Sequence, residues 1–220
     1  METRKLNPSH DTALTIFVGA SSKATNWENK ETTWSDLLNR CANPTKTKET
    51  LVQYLQMDKA KQSKIKDVGG FVGGYFATNG RRKKEGLIGR TVVTLDADNV
   101  KKDSNIWEGF KATFSFAACI YSTHKHTEEA PRLRIIIPLA DSTNVEQYEA
   151  VARYIADKIG MEYFDPTTFQ ASRLMFWPST PKDVDFFFDW QDGEILDPEE
   201  ILKKYKDWKD VSSWPMHKSE

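Results

Sequence analysis

Cysteine is scarce in this chain of 220 residues, with only Cys41 and Cys119 present. Two thiols so far apart in the sequence make neither a disulfide framework nor a cysteine-based zinc knuckle, so a reducing cytoplasm is the simplest compartment and no zinc is expected. Long apolar runs are missing as well. Nothing approaches the roughly 18 residues of a membrane span, and the opening METRKLNPSH lacks the apolar core of a signal peptide. A soluble, cytoplasmic protein is the expectation. No Gly-x4-Gly-Lys-Ser/Thr occurs, which excludes a Walker-type phosphate loop and a helicase motor within these residues. Internal repeats and low-complexity tracts are also absent. The chain does have 12% aromatic residues, including 7 Trp, enough to bury a substantial core and to exclude disorder as the dominant state.

Excess charge of one sign is lacking, since 31 Lys and Arg stand against 32 Asp and Glu. The balance hides a segregation. Residues 1–140 hold 22 basic and 15 acidic side chains, and residues 141–220 hold 9 and 17. The densest basic run, Arg81-Arg82-Lys83-Lys84, reads either as a solvated loop or as a contact for a phosphate backbone. Seven of the 11 glycines lie between positions 69 and 89. That stretch is a hairpin or irregular crossover, or a loop laid against nucleic acid.

Pattern places a strand at 12–18 and a polar, turn-rich stretch at 21–30. A helix at 33–41 carries Trp34, Leu37, Leu38 and Cys41 on one face. A second helix runs from about Thr47 towards Ile65 with Leu51, Tyr54 and Leu55 aligned. From residue 91 the order is a strand at 91–95, a helix at 104–112, strands at 116–121 and 132–139, a helix at 143–159 capped by Thr143 and closed by Gly160, and extended segments at 173–177 and 184–188. A last helix starts at Asp197-Pro198, and the tail after Trp208 reads as loosely ordered. The class is α+β, with a split βαβ, RNA-recognition-like sheet. Three parts are expected in one compact unit: an N-terminal strand and helical layer at 1–66, a catalytic core at 67–196, and a C-terminal helix and tail at 197–220.

Three constellations carry chemistry. Asp96 and Asp98 end the strand TVVTL, and the two-residue period projects them together. They cap a turn, or they share a hard divalent cation that relieves their repulsion. The segment Tyr121-Ser122-Thr123-His124-Lys125-His126, followed by Arg132-Leu133-Arg134, gathers a hydroxyl, two imidazoles and two guanidiniums at one hairpin. These suit a triphosphate, or they are exposed hairpin residues paired with surface acids. A paired-histidine nuclease is disfavoured because Lys125 stands where an apolar strand residue is wanted. In FDPTTFQASR, Asp165 begins a turn fixed by Pro166, and Arg173 contacts phosphate or a neighbouring acid.

In order, LDADN, YSTHKHTEEAPRLRIIIPL and FDPTTFQASRLMFWPST resemble the catalytic core of the archaeo-eukaryotic primase superfamily. The closer resemblance is to the primase-polymerase domains of replication proteins from phages and integrated elements of Gram-positive bacteria. It spans roughly residues 65–180. It implies a primase-like fold and template-directed nucleotidyl transfer, with Asp96, Asp98 and Asp165 as catalytic ligands of two Mg²⁺ or Mn²⁺ ions. It implies phosphate binding by Ser122 and a nearby histidine. His124 is favoured over His126, with Arg132 and Arg134 assisting and Arg173 close by. Single-stranded DNA template, held in part by Arg81, Arg82, Lys83 and Lys84, and nucleoside triphosphates are the implied partners, together with a fused or separate replicative helicase. A non-polymerising DNA-binding replication initiator and a metal-dependent nuclease are the competing functions.

Overall fold

The computed structural model describes residues 3–220. Its elements run β1 (Ala13–Gly19), β2 (Glu28–Thr33), α1 (Trp34–Ala42), β3 (Thr45–Lys46), α2 (Leu51–Gln56), α3 (Lys59–Lys66), β4 (Gly70–Val72), β5 (Gly74–Phe76), β6 (Leu87–Ala97), α4 (Ile106–Thr113), β7 (Ala118–Ser122), β8 (Leu133–Thr143), α5 (Val145–Ile159), β9 (Met175–Phe176), β10 (Ser179–Thr180), β11 (Phe188–Gln191) and α6 (Pro198–Leu202). The mixed α/β class matches the sequence expectation.

A five-stranded sheet in the order β11-β7-β8-β6-β5 forms the centre. β6 and β7 flank β8 and both run antiparallel to it, so β6, α4 and β7 make the expected split βαβ unit. β11 adds beyond β7 and β5 beyond β6. Alternation divides these strands between two apolar clusters. Val93, Leu95, Ile135, Ile137 and Ile120 belong to the cluster that holds α4 and α5, whereas Val92, Ile136, Cys119 and Tyr121 pack with the N-terminal layer. Coverage on both faces explains why TVVTL and RIIIPL are nearly continuous apolar runs.

The N-terminal layer is a four-stranded sheet, β2-β1-β4-β9, backed by α1. Trp34, Leu37, Leu38 and Cys41 form the predicted helical stripe and are all buried, and the Thr33 hydroxyl caps the helix by accepting from the Asp36 N–H at 3.1 Å. The glycine-rich segment proves to be the crossover between the two sheets. At Gly73, between β4 and β5, a Cβ would lie 2.8 Å from the Val92 Cβ, so only glycine lets the chain pass so close. Cys41 and Cys119, remote in sequence, meet in the core as free buried thiols. Burial, and then Cys41 itself, pushes the Cys119 thiol up.

Several elements differ from the sequence reading. β2 occupies part of the stretch read as polar turns; it is an edge strand paired only to β1, so it needs no apolar residues. The single helix expected beyond Thr47 is two, interrupted where Asp58 caps α3. Of Leu51, Tyr54 and Leu55 only Tyr54 is buried. β8 continues through Pro138 because the β6 partner shifts register there, and β7 begins pairing only at Cys119 opposite Ile136. Asn144, one residue after the expected Thr143, caps α5 in a capping box with Gln147. The strand expected at 184–188 falls at Phe188–Gln191. The tail is not loose: Trp214 joins the core, its indole N–H donates to the Trp208 carbonyl at 2.6 Å, and Arg153 grips Glu220 at 2.7 Å. Among the described residues no helix is long and apolar enough to cross a membrane.

Candidate active site

Asp96, Arg134 and Tyr121 stand directly opposite one another on β6, β8 and β7 and share one face of the sheet. Arg134 forks onto Asp96, Nε to Oδ1 at 3.0 Å and Nη2 to Oδ2 at 3.3 Å, and both side chains are buried. Burial opposes the charge on Arg134, but the Asp96 carboxylate more than offsets it and keeps the guanidinium charged. Two residues on, Asp98 meets Arg132 at 2.7 Å. Burial, and then the negative charge of Asp96, raises the Asp98 carboxyl above the usual range.

The third aspartate is brought in by its loop. Asp165 starts a 3₁₀ turn over Pro166–Phe169, accepting from the Thr167 N–H and hydroxyl at 2.8 Å each. Its own N–H donates to the Asp96 carbonyl at 2.9 Å. Thr168 fixes that approach: its hydroxyl donates to the Thr94 carbonyl at 3.1 Å and accepts from the Asp96 N–H at 2.9 Å. Arg173 reaches the other Asp165 oxygen at 3.5 Å. Each of the three sequence-predicted aspartates thus faces one of the three sequence-predicted arginines.

All six line a single cavity of about 350 Å³, together with Lys66, Arg82, Lys125, His124 and Ser179. Three carboxylates are therefore outnumbered by six basic side chains, four arginines and two lysines. Lys66, at the end of α3, has no carboxylate within ion-pair reach among the described residues. Burial, and then Arg134, draws its ammonium down, while Asp96 and Asp98 act in the other direction. Arg82 turns inward from the basic run, lying over the Trp27 ring at 5.6 Å and donating to the Ser172 carbonyl at 2.9 Å. Arg81, Lys83 and Lys84 are exposed and do not line the cavity. Ser122 and His126 do not line it either. Ser122 alternates with Tyr121 and so faces away from Arg134, its oxygen accepting from the Phe187 N–H at 3.1 Å. His126 Nδ1 accepts from the Arg132 N–H at 3.2 Å while its ring stacks near Phe187. The sequence reading missed Lys66, Thr168, Ser179 and Glu49, whose carboxylate lies 3.0 Å from His124 Nε2. Thr168 and Ser179 lie inside the segment FDPTTFQASRLMFWPST without being singled out there, the lysine-rich pattern of α3 was the signal for Lys66, and Glu49 had none.

Burial lowers both His124 and His126 below the ordinary histidine value of 6.5. An unfolded chain therefore takes up protons below about pH 6.5 that the folded protein accepts only at lower pH, so acidification through that window favours unfolding. Thermal melts from pH 7.5 to 5.5 should show a falling midpoint, reduced in slope by His126→Gln. A midpoint constant over this range would show that neither ring is held neutral by the fold.

Among the described residues, no group of three or more His, Cys, Asp or Glu side chains lies close enough to hold a metal ion. The donor chemistry nevertheless fits a hard divalent cation. The oxygens come from three carboxylates that line the same cavity, two of them mutually repelling and each facing a positive charge. No curated protein matches the chain. Among solved structures it is similar to the AEP domain of the cyanophage S-2L primase-polymerase. The identity is 12%, over 86% of this chain and 88% of that one, with a TM-score of 0.47. The sequence matches the VapE N-terminal domain over residues 1–217, nearly its whole length, and the chain belongs to that family.

Proposed function

We propose that this domain is a template-directed nucleotidyltransferase, a primase-polymerase, whose nucleotide site is the cavity between β6, β8 and the Asp165 loop. The observation that carries the reading is the convergence of Asp96, Asp98 and Asp165 with Arg132, Arg134, Arg173 and Lys66 in one hollow. Carboxylates alone suit a metal, and cations alone suit phosphate. Together they suit a metal-bound triphosphate. Asp96, Asp98 and Asp165 would hold Mg²⁺ or Mn²⁺. A divalent ion held by these carboxylates would supply positive charge that favours ionisation of an attacking 3′-hydroxyl and neutralises a departing pyrophosphate.

The arginines have a second task. Arg132 and Arg173 are only partly buried, so they can exchange Asp98 and Asp165 for phosphate oxygens, whereas Arg134 is enclosed by Asp96 and the Phe176 carbonyl and stays as a fixed strut. Lys66 meets the β- and γ-phosphates. Template approaches over the exposed Arg81, Lys83 and Lys84, which confer salt-dependent, sequence-independent binding.

Primer extension with each metal, run with and without nucleoside triphosphates, tests the assignment. A ladder of extended products that requires metal and nucleotides is the expected result. Binding of single-stranded DNA without extension would replace the reading with a replication initiator, and shortening of labelled DNA without nucleotides would replace it with a nuclease.

A further inference from the structure

The basic run also borders a second, smaller hollow. Ser22, Lys23, Thr25 and Trp27, from the connection between β1 and β2, meet Arg81 and Arg82 around a space of about 220 Å³. The two segments are tied together. The Trp27 backbone N–H donates to the Gly80 carbonyl at 2.9 Å, and the Gly80 N–H donates to the Trp27 carbonyl at 2.7 Å. Gly80 takes a φ of +122°, a conformation that favours glycine and turns the chain into Arg81. Ser22 is fixed in turn, its N–H and hydroxyl donating to Asp67 at 2.9 and 2.7 Å. Arg82 is the one side chain that lines both this hollow and the larger cavity.

Two independent observations point to an anion. Lys23, Arg81 and Arg82 line the hollow and no carboxylate does. Trp27 is 1% exposed, and its indole N–H, like the Nε–H of Arg82, is buried without a hydrogen-bond partner in the protein. Buried donors left in that state are uncommon, because each gives up a bond it would make in water. Arg82 spends Nη1 on the Ser172 carbonyl at 2.9 Å, which leaves Nε over. A water molecule would complete the two donors but would leave three cations unbalanced, whereas a phosphate group answers both. The hollow also has a definite place. It opens beside the exposed Arg81, Lys83 and Lys84 and connects through Arg82 to the cavity that holds the three aspartates. A free ion needs no such continuity, and a strand on its way to the cavity does.

We propose that this hollow holds one phosphodiester of the single-stranded template, outside the nucleotide site, with the Trp27 indole and Arg82 as hydrogen-bond donors and Lys23 and Arg81 as counter-charges; this rests on the template-directed reading of the domain. Lys23 and Trp27 thereby join the strand-binding surface, although both lie more than 50 residues before the basic run.

Anisotropy titration of the whole chain with a labelled single-stranded oligonucleotide, without metal or nucleoside triphosphates and over a range of salt, tests this. Lys23→Ala should bind about fivefold more weakly at low salt and flatten the slope of log K against log salt by about 0.7, the share of one phosphate contact on a single strand. Trp27→Phe keeps an aromatic ring against Phe17 but removes the N–H. It should bind about tenfold more weakly with the slope unchanged, since a neutral donor releases no counterion. Unchanged affinity in either variant overturns the proposal alone. Inorganic phosphate separates the two sources of the group. A rise in melting midpoint with phosphate that is lost in Lys23→Ala, while that variant binds DNA unchanged, makes this a free-ion site and overturns the strand assignment. Failure of the unaltered protein to bind the oligonucleotide overturns the template reading and this proposal together. Should Trp27→Phe fail to fold, as judged by circular dichroism, the salt slope of Lys23→Ala decides.

Discussion

Alanine at Asp98 should reduce template-directed nucleotide incorporation by about three orders of magnitude or more, as expected where positioned charge supplies most of the rate. The fold should tolerate the change. Asp98 pairs with Arg132 across a partly exposed gap, a contact worth about 1 kcal/mol or less. Burial and the neighbouring Asp96 already make its charge unfavourable, so its removal relieves repulsion. Asp96→Ala should be equally inactive for a mixed reason. It strands Arg134, which is buried and has no other carboxylate within ion-pair reach among the described residues. Breaking a buried pair from one side costs about 3–5 kcal/mol. Incorporation rates and thermal melts on both purified variants therefore separate chemistry from stability. Asp98→Ala should be inactive yet melt like the unaltered protein, while Asp96→Ala should be inactive and melt lower. A fully active Asp98→Ala would remove that residue from the site, and an Asp96→Ala protein of undiminished stability would show that Arg134 finds another partner.

This contrast within one Asp-x-Asp motif marks the limit of what the sequence discloses. The two-residue period was enough to point Asp96 with Asp98, and Arg132 with Arg134, because alternation within a strand is local. The pairing of each aspartate with a particular arginine depends on the register between β6 and β8, which is set by packing 38 residues away. Ser122 is the counterexample. It sits in the right motif, yet register and alternation give its place on the cavity face to Tyr121. His124 was legible as a site residue, but Glu49 and Ser179, 75 and 55 residues distant, were not, so the partners of its two nitrogens were invisible. The ordered tail had a signal that went unused: Trp208 and Trp214 are large apolar groups that a solvated segment does not need.

Methionine at Arg90 should lower stability by about 2–4 kcal/mol, since buried carbonyls left without a donor cost about 1–3 kcal/mol each. For a chain of this size that is a fall in melting midpoint of roughly 5–15 °C. Arg90 is fully buried, and no carboxylate faces it among the described residues. Instead Nε and Nη2 donate to the Val92 carbonyl at 3.2 and 2.8 Å, Nη2 reaches the Thr94 hydroxyl at 3.0 Å, and Nη1 donates to the Ala171 carbonyl. The guanidinium also lies 4.0 Å from the centre of the Tyr148 ring, which offsets part of the cost of burying its charge. Burial still pulls Arg90 below the ordinary arginine value, so the fold tolerates an expensive group for what it joins. It joins β6, the strand that carries Asp96 near its end, to the loop running from Asp165 to Arg173. Lysine keeps the charge but lacks the planar fork, so Arg90→Lys cannot hold Val92 and Ala171 together. Arg90→Lys should therefore lose incorporation at temperatures well below its own melting midpoint, through a lower maximal rate with little change in the nucleotide concentration for half-maximal rate. Unaltered rates in a folded Arg90→Lys protein would mean that Thr168 and the Asp165 N–H suffice to keep the third carboxylate beside the first.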